Sequence, residues 1–158
     1  MTTATITFRI HPVPESVISA ARERGVDANG RRVEHLTAEG GEPLRCCLSN
    51  ALPGEALVLF GFSPELPDSP YRETGPILAH AHRCAGPAST STYPPDWYAR
   101  PQVLRAYDER GWIHEATTMH DGTDPEAAIE AVLREPGVVA VHSRNVLYGC
   151  YMFTVTRV

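Results

Sequence analysis

Pro70 and Pro76 place the tightest restriction on what this chain can fold into. Each locks its own φ. Each also steers the residue before it, Ser69 or Gly75, away from helical geometry. Residues 71–74 (YRET) therefore read as a short ordered loop, and the apolar run Ile77, Leu78, Ala79 and Ala81 as a strand. Alternation along that strand puts Leu78, His80, His82 and Cys84 on one face and Ile77, Ala79, Ala81 and Arg83 on the other.

Imidazole and thiolate are zinc ligands, so His80, His82 and Cys84 form a candidate metal set. The spacing works against it: same-face neighbours on a flat strand stand roughly 7 Å apart, at a rise of ~3.3 Å per residue. A pair can close that gap by rotamer choice or a bulge. The competing reading is two half-exposed histidines and a small buried cysteine.

The loop before the strand carries a different chemistry. Arg72 can hold a carboxylate or phosphate in bidentate fashion, and with Thr74 and the Gly75 backbone it could form an anion cradle. The alternative is that Arg72 and Glu73 only pin loops together. Late in the chain, His142, Arg144 and Asn145 stand at the end of an expected strand, where site groups commonly gather. His142 could move a proton near neutral pH, Arg144 neutralise an anion and Asn145 orient it. The alternative there is a hairpin rim held by side-chain hydrogen bonds.

With 158 residues, of which 42 % are hydrophobic, the expectation is one domain spanning residues 1–158 with an ordinary core. The net charge is −5, from 14 basic and 19 acidic side chains. The sequence has no lysine, so every one of those cations is arginine, and they are scattered. Nucleic-acid binding needs clustered positive charge, so it is not expected. Neither a cationic start with an apolar follow-on nor a run of about 20 apolar residues occurs, so no membrane partner is expected and the expected home is cytoplasmic. Cys46, Cys47, Cys84 and Cys150 contain no CxxC pair. Reduced thiols are the cytosolic expectation, with a Cys84 disulfide to Cys47 or Cys150 as the alternative.

Taken in order, residues 5–10 alternate as a strand, and residues 15–24 carry the stripe Val17, Ile18, Ala21 of a helix stopped by Gly25. Residues 56–62 are the strongest strand of the first half, after the Pro53-Gly54 turn. Residues 85–101 form a proline-rich loop whose Tyr93, Trp97 and Tyr98 either wall a pocket or, as favoured here, plug the core. Pro101 can open a helix with Val103, Leu104 and Tyr107 on one side, Arg105 pairing with Asp108, and Gly111 at its end. Residues 112–120 read as a strand. Thr123 with Glu126, or Asp124 with Pro125, starts a helix bearing Ile129, Val132 and Leu133. Residues 138–144 and 150–157 then make an antiparallel hairpin. The order β-α-β-β-α-β-α-β-β predicts an α+β domain, mainly antiparallel or mixed sheet with about three packed helices.

GxGxxG, P-loop, HExxH and GxSxG patterns are absent. A nucleophilic pair of Cys84 or Cys47 with His82 or His142 requires their strands to adjoin. The blocks PLRCCL, PGEALVLF, SPYRETGPI, LRAYDERG and HSRNVLYGCYMFTVTR together resemble the bacterial family called domain of unknown function 1203, from Thr7 to Arg157. That resemblance implies a single-domain bacterial protein and carries no reaction. It singles out Arg45, Pro70, Tyr71, Arg105, Asp108, Asn145, Gly149, Cys150 and Tyr151. Leu44 departs from the cysteine often found before that arginine, which speaks for packing there.

Three functions follow as expectations. The first is a polar pocket for a small anionic metabolite, catalytic or not, using Arg45, Tyr71, Arg72, Arg105, His142, Asn145 and Tyr151. The second is a metal protein, with zinc as the candidate at His80, His82 and Cys84. The third is a noncatalytic homodimeric interaction protein.

Overall fold

The structure, a computed structural model, describes residues 4–158. Ten strands form two five-stranded sheets. The first sheet is built from the two ends of the chain: β1 (Phe8–His11), β7 (Gln102–Tyr107), β8 (Thr118–His120), β9 (Ala140–Asn145) and β10 (Tyr151–Arg157). Its spatial order is β1-β10-β9-β7-β8, all antiparallel. The second sheet holds β2 (Glu34–Thr37), β3 (Pro43–Leu44), β4 (Ser49–Asn50), β5 (Ala56–Phe62) and β6 (Gly75–His80), in the order β2-β5-β6-β3-β4. Among the described residues, only β3 and β6 pair in parallel, through Leu44 and Leu78.

Each sheet packs one helix. On the second sheet lies α1 (Glu15–Arg24), with Ile18 and Ala21 buried against Leu57, Ile77 and Ala79. Gly25 closes it at φ 70°, a left-handed conformation that costs glycine little. On the first sheet lies α2 (Pro125–Arg134), with Ile129, Val132 and Leu133 buried among Leu104, Val141 and Phe153. Asp124 caps it by accepting from the Ala127 N–H, and Pro125 takes the first helical position. Each fully buried leucine or isoleucine here contributes about 1.5–3 kcal/mol.

The expected α+β domain with about three packed helices is corrected to a mostly-sheet structure with two. The third helix, expected from Pro101 to Gly111, is strand β7. Leu104 and Ala106 are buried on one face while Val103 and Arg105 stay half-covered on the other, a period of two. The spacing of Val103, Leu104 and Tyr107 fits a helix stripe as well. Hydrogen bonding to β8 on one side and β9 on the other decides for the strand. Arg105 and Asp108 do not pair. Asp108 instead holds the following turn by accepting from the backbone of Arg110 and Trp112. The strand expected over 112–120 shrinks to Thr118–His120 plus a single bridge between Tyr107 and Ile113.

Two of the three aromatics in the long loop before β7 plug the core, as favoured, while Tyr98 stays exposed with its hydroxyl donating to Glu126. Tyr93 and Trp97 are buried in the first core. The Trp97 ring stacks on Phe153 with centroids 6.0 Å apart, and its indole N–H donates to Asn50 Oδ1 at 3.0 Å.

Candidate functional site

Parallel pairing of β3 with β6 brings two distant pieces of sequence side by side. The Arg45 N–H donates to the Leu78 carbonyl at 2.9 Å. The turn that follows β3 then carries Cys46 and Cys47 against the end of β6, where His80 stands. Leu48, at φ 55°, closes that turn before β4 begins. Beyond His80 the chain leaves the sheet and bends, so strand alternation no longer sets side-chain direction. His82 is exposed, while Cys84 comes back beside His80.

The result is a four-residue group. Single ligand atoms from Cys46, Cys47, His80 and Cys84 all lie within 4.8 Å of one another. Cys46 Sγ is 3.5 Å from His80 Nδ1, and Cys47 Sγ is 4.0 Å from the same nitrogen. A tetrahedral zinc with Zn–S of about 2.3 Å has ligand–ligand edges of about 3.8 Å. The two sulfur–nitrogen separations, 3.5 and 4.0 Å, bracket that edge, and the whole group spans no more than 4.8 Å.

The surroundings favour one thiolate, at Cys47, and a fixed imidazole. His80 Nε2 is 2.6 Å from Glu55 Oε2, leaving Nδ1 turned towards the sulfurs. The Glu55–His80 contact arises because β5 and β6 pair Leu57 with His80. The His80 backbone N–H approaches Cys46 Sγ at 3.4 Å. Arg22 donates twice to the His80 carbonyl, at 3.1 and 2.9 Å, and is itself paired with Glu15. Cys47 is pulled down to about 5, chiefly because the Cys46 thiol donates to it, with further help from the Ser49 hydroxyl and the His80 charge. Cys46 is correspondingly pushed up, and burial raises Cys84. All four cysteines are free, so the alternative disulfide from Cys84 is not formed.

A chain match complements this geometry. Residues 41–157 match the family model described as a protein of unknown function, DUF1203. The chain belongs to the DUF1203 family. No curated protein and no solved structure matches it. The DUF1203 match covers every residue of the thiol-imidazole group, and it begins just before β3.

Of the metal set expected from sequence, the structure brings together His80 and Cys84 and leaves His82 outside. Cys46 and Cys47 complete the group. Their adjacency was visible in the sequence, but the contact with His80 depends on a pairing across 34 residues. The nucleophilic pairs with His82 or His142 do not form, and Cys47 has His80 as its imidazole neighbour.

The residues proposed for an anion pocket divide: Arg45, Arg72 and Asn145 are engaged elsewhere or stand apart, while Arg105 gathers with Tyr71, His142 and Arg144. Arg45 is buried, donates to the carbonyls of Pro43 and Tyr151, and is pushed down to about 10 by burial. Arg72 is exposed, and Thr74 is engaged with Ser63 and Asn29, so the cradle around Arg72 does not assemble. Asn145 Oδ1 accepts from the N–H groups of Leu147 and Tyr148, which makes it the brace of the turn after β9. The Tyr151 hydroxyl is 2.7 Å from that of Thr154. Tyr71 stands edge-on to Trp112, with centroids 5.7 Å apart. Arg105 and Arg144 converge, and His142 lies buried between the rings of Tyr107 and Tyr151. Among the described residues no helix is long and apolar enough to cross a membrane.

Proposed function

We propose that this protein binds a zinc ion through Cys46, Cys47, His80 and Cys84. The observation that carries the reading is the mutual approach of those four ligand atoms within 4.8 Å, with Cys46 Sγ and Cys47 Sγ 3.5 and 4.0 Å from His80 Nδ1. Three sulfurs and one imidazole nitrogen are a soft set, suited to zinc over magnesium or calcium. Four protein ligands fill a tetrahedron, so the ion would hold structure and would not activate water. It would join the β3–β4 turn to the end of β6, with Glu55 fixing the imidazole from behind.

Metal analysis of untagged protein, followed by cobalt substitution of the stripped form, tests this. One equivalent of zinc and a cobalt spectrum with tetrahedral ligand-field and thiolate charge-transfer bands are expected. Cys46→Ser, Cys47→Ser or Cys84→Ser should each lose the ion, while His82→Ala keeps it. Stripped protein that takes up neither metal would overturn the reading.

A further inference from the structure

On the face of the first sheet away from α2, β7 and β9 carry two arginines as near neighbours. The register pairs Val103 with Arg144 and Arg105 with His142, so Arg105 and Arg144 sit diagonally across adjacent strands. Both guanidinium groups reach Oε1 of Glu73, Arg105 at 3.4 Å and Arg144 more closely. The two arginine side chains are only 21 % and 17 % exposed, whereas that of Glu73 is 43 % exposed. The cations thus belong to the sheet, and the anion comes to them from a loop.

Charge does not balance there. Among the described residues, one carboxylate serves two guanidinium groups, and Glu73 is the one salt-bridge partner of each. The Arg105 guanidinium is flanked by rings, 5.9 Å from the centroid of Tyr71 and 5.7 Å from that of Tyr107, which hold its position. Arg144 is braced by donation to the Gly149 carbonyl at 2.9 Å. Under the pair, His142 is 2 % exposed and its Nε2 has no partner among the described residues. Burial first, then Arg144 and Arg105, holds it down at about 4, so the imidazole is neutral and offers no third cation.

Beside the Glu73–Arg144 contact lies a hollow of about 150 Å³, bounded by Gly75, Pro76, Tyr148 and Tyr151. Pockets for drug-sized ligands run to about 300–1,000 Å³, so only a small group fits here. Two preset arginine forks recognise carboxylate and phosphate oxygens by geometry as well as charge. We infer that Arg105 and Arg144 form a binding site for a small oxyanion, carboxylate or phosphate, and that the Glu73 carboxylate is its tethered competitor. A tethered group competes at high effective concentration, so the wild-type chain binds weakly and displacement of Glu73 opens the site. The inference stands independently of the zinc reading, since none of these residues belongs to the thiol-imidazole group.

Isotope-labelled protein titrated with inorganic phosphate and, separately, with succinate at constant ionic strength tests it, following the backbone amides of Tyr148 and Gly149. Glu73→Gln is expected to bind at least one of the two anions about tenfold more tightly than wild type, or about 1.4 kcal/mol. Preference for one anion over the other assigns the source. Adding Arg144→Gln to Glu73→Gln should abolish the gain. A folded Glu73→Gln protein with no tighter binding of either anion, or with a gain that survives loss of Arg144, overturns the inference. Should Glu73→Gln not fold, the wild-type titration decides. Saturable shifts at Tyr148 and Gly149 in millimolar anion uphold the site, and shifts no larger than those from chloride refute it.

Discussion

Protonating His142 should destabilise the fold, and the size of the effect follows from its surroundings. The ring is buried, with centroids 4.6 Å from Tyr107 and 5.4 Å from Tyr151, and two arginines stand nearby. Its folded value is about 4, against 6.5 for the unfolded chain. The unfolded state therefore binds the proton more readily. The stability His142 supports is whole above its unfolded value and is lost as pH falls from there towards the folded value. By linkage, the loss reaches about 2 kcal/mol by about pH 5, and about 3 kcal/mol once both forms are protonated. Urea unfolding followed by the fluorescence of buried Trp97, between about pH 8 and about pH 5, measures it. His11 and His120 are also held down by burial and add to the wild-type slope. His142→Phe keeps a ring in the aromatic stack and removes the titrating group together with its hydrogen bond to the Glu65 backbone, so the comparison rests on the pH dependence and not on absolute stability. The wild-type curve should fall by about 2 kcal/mol more than the variant curve over that range. Parallel curves would refute the account of His142 as a buried neutral base.

Glu55→Gln should weaken metal affinity about 10- to 100-fold without changing stoichiometry, as read by competition with a chromophoric chelator. Bound zinc should protect Cys47 from alkylation by iodoacetamide. Stripping the ion should make Cys47 the first thiol modified, since it is the one pulled down. Gly122→Ala should be strongly destabilising in a thermal melt: the residue sits at φ +86°, and an added Cβ would lie 2.4 Å from the Arg100 backbone nitrogen. Asp124→Ala should cost about 1 kcal/mol through loss of the α2 cap, measured by urea unfolding.

Local chemistry made much of the fold legible. The α1 stripe with Gly25 behind it, the Asp124-Pro125 start of α2, the apolar run of β5 after the Pro53-Gly54 turn, and the alternation in β6 each depend on neighbours in sequence. β7 is not legible as a strand because its apolar spacing suits both periods, and its partners, β8 and β9, lie further along the chain. The short strands β3 and β4 are two residues each, too brief to show any period. The same limit applies at the thiol-imidazole group. His80 and Cys84 stand close in sequence, but Cys46 and Cys47 reach them only through the Leu44–Leu78 pairing. Sequence sets Glu73 beside Arg72 as a charge that pins loops together, without naming its partner. The structure gives it to Arg105 and Arg144, with no sequence signal linking the three.

The nesting of one sheet within the other bears on how the molecule is made. The second sheet is drawn from one uninterrupted length of chain, whereas the first awaits β10 before β1 has a partner, Phe8 meeting Arg157. During synthesis, the inner half can assemble around α1 while the opening strand stays unpaired and sticky. Pairing of β1 with β10 joins segments far apart in sequence, so its zippering is expected late in folding.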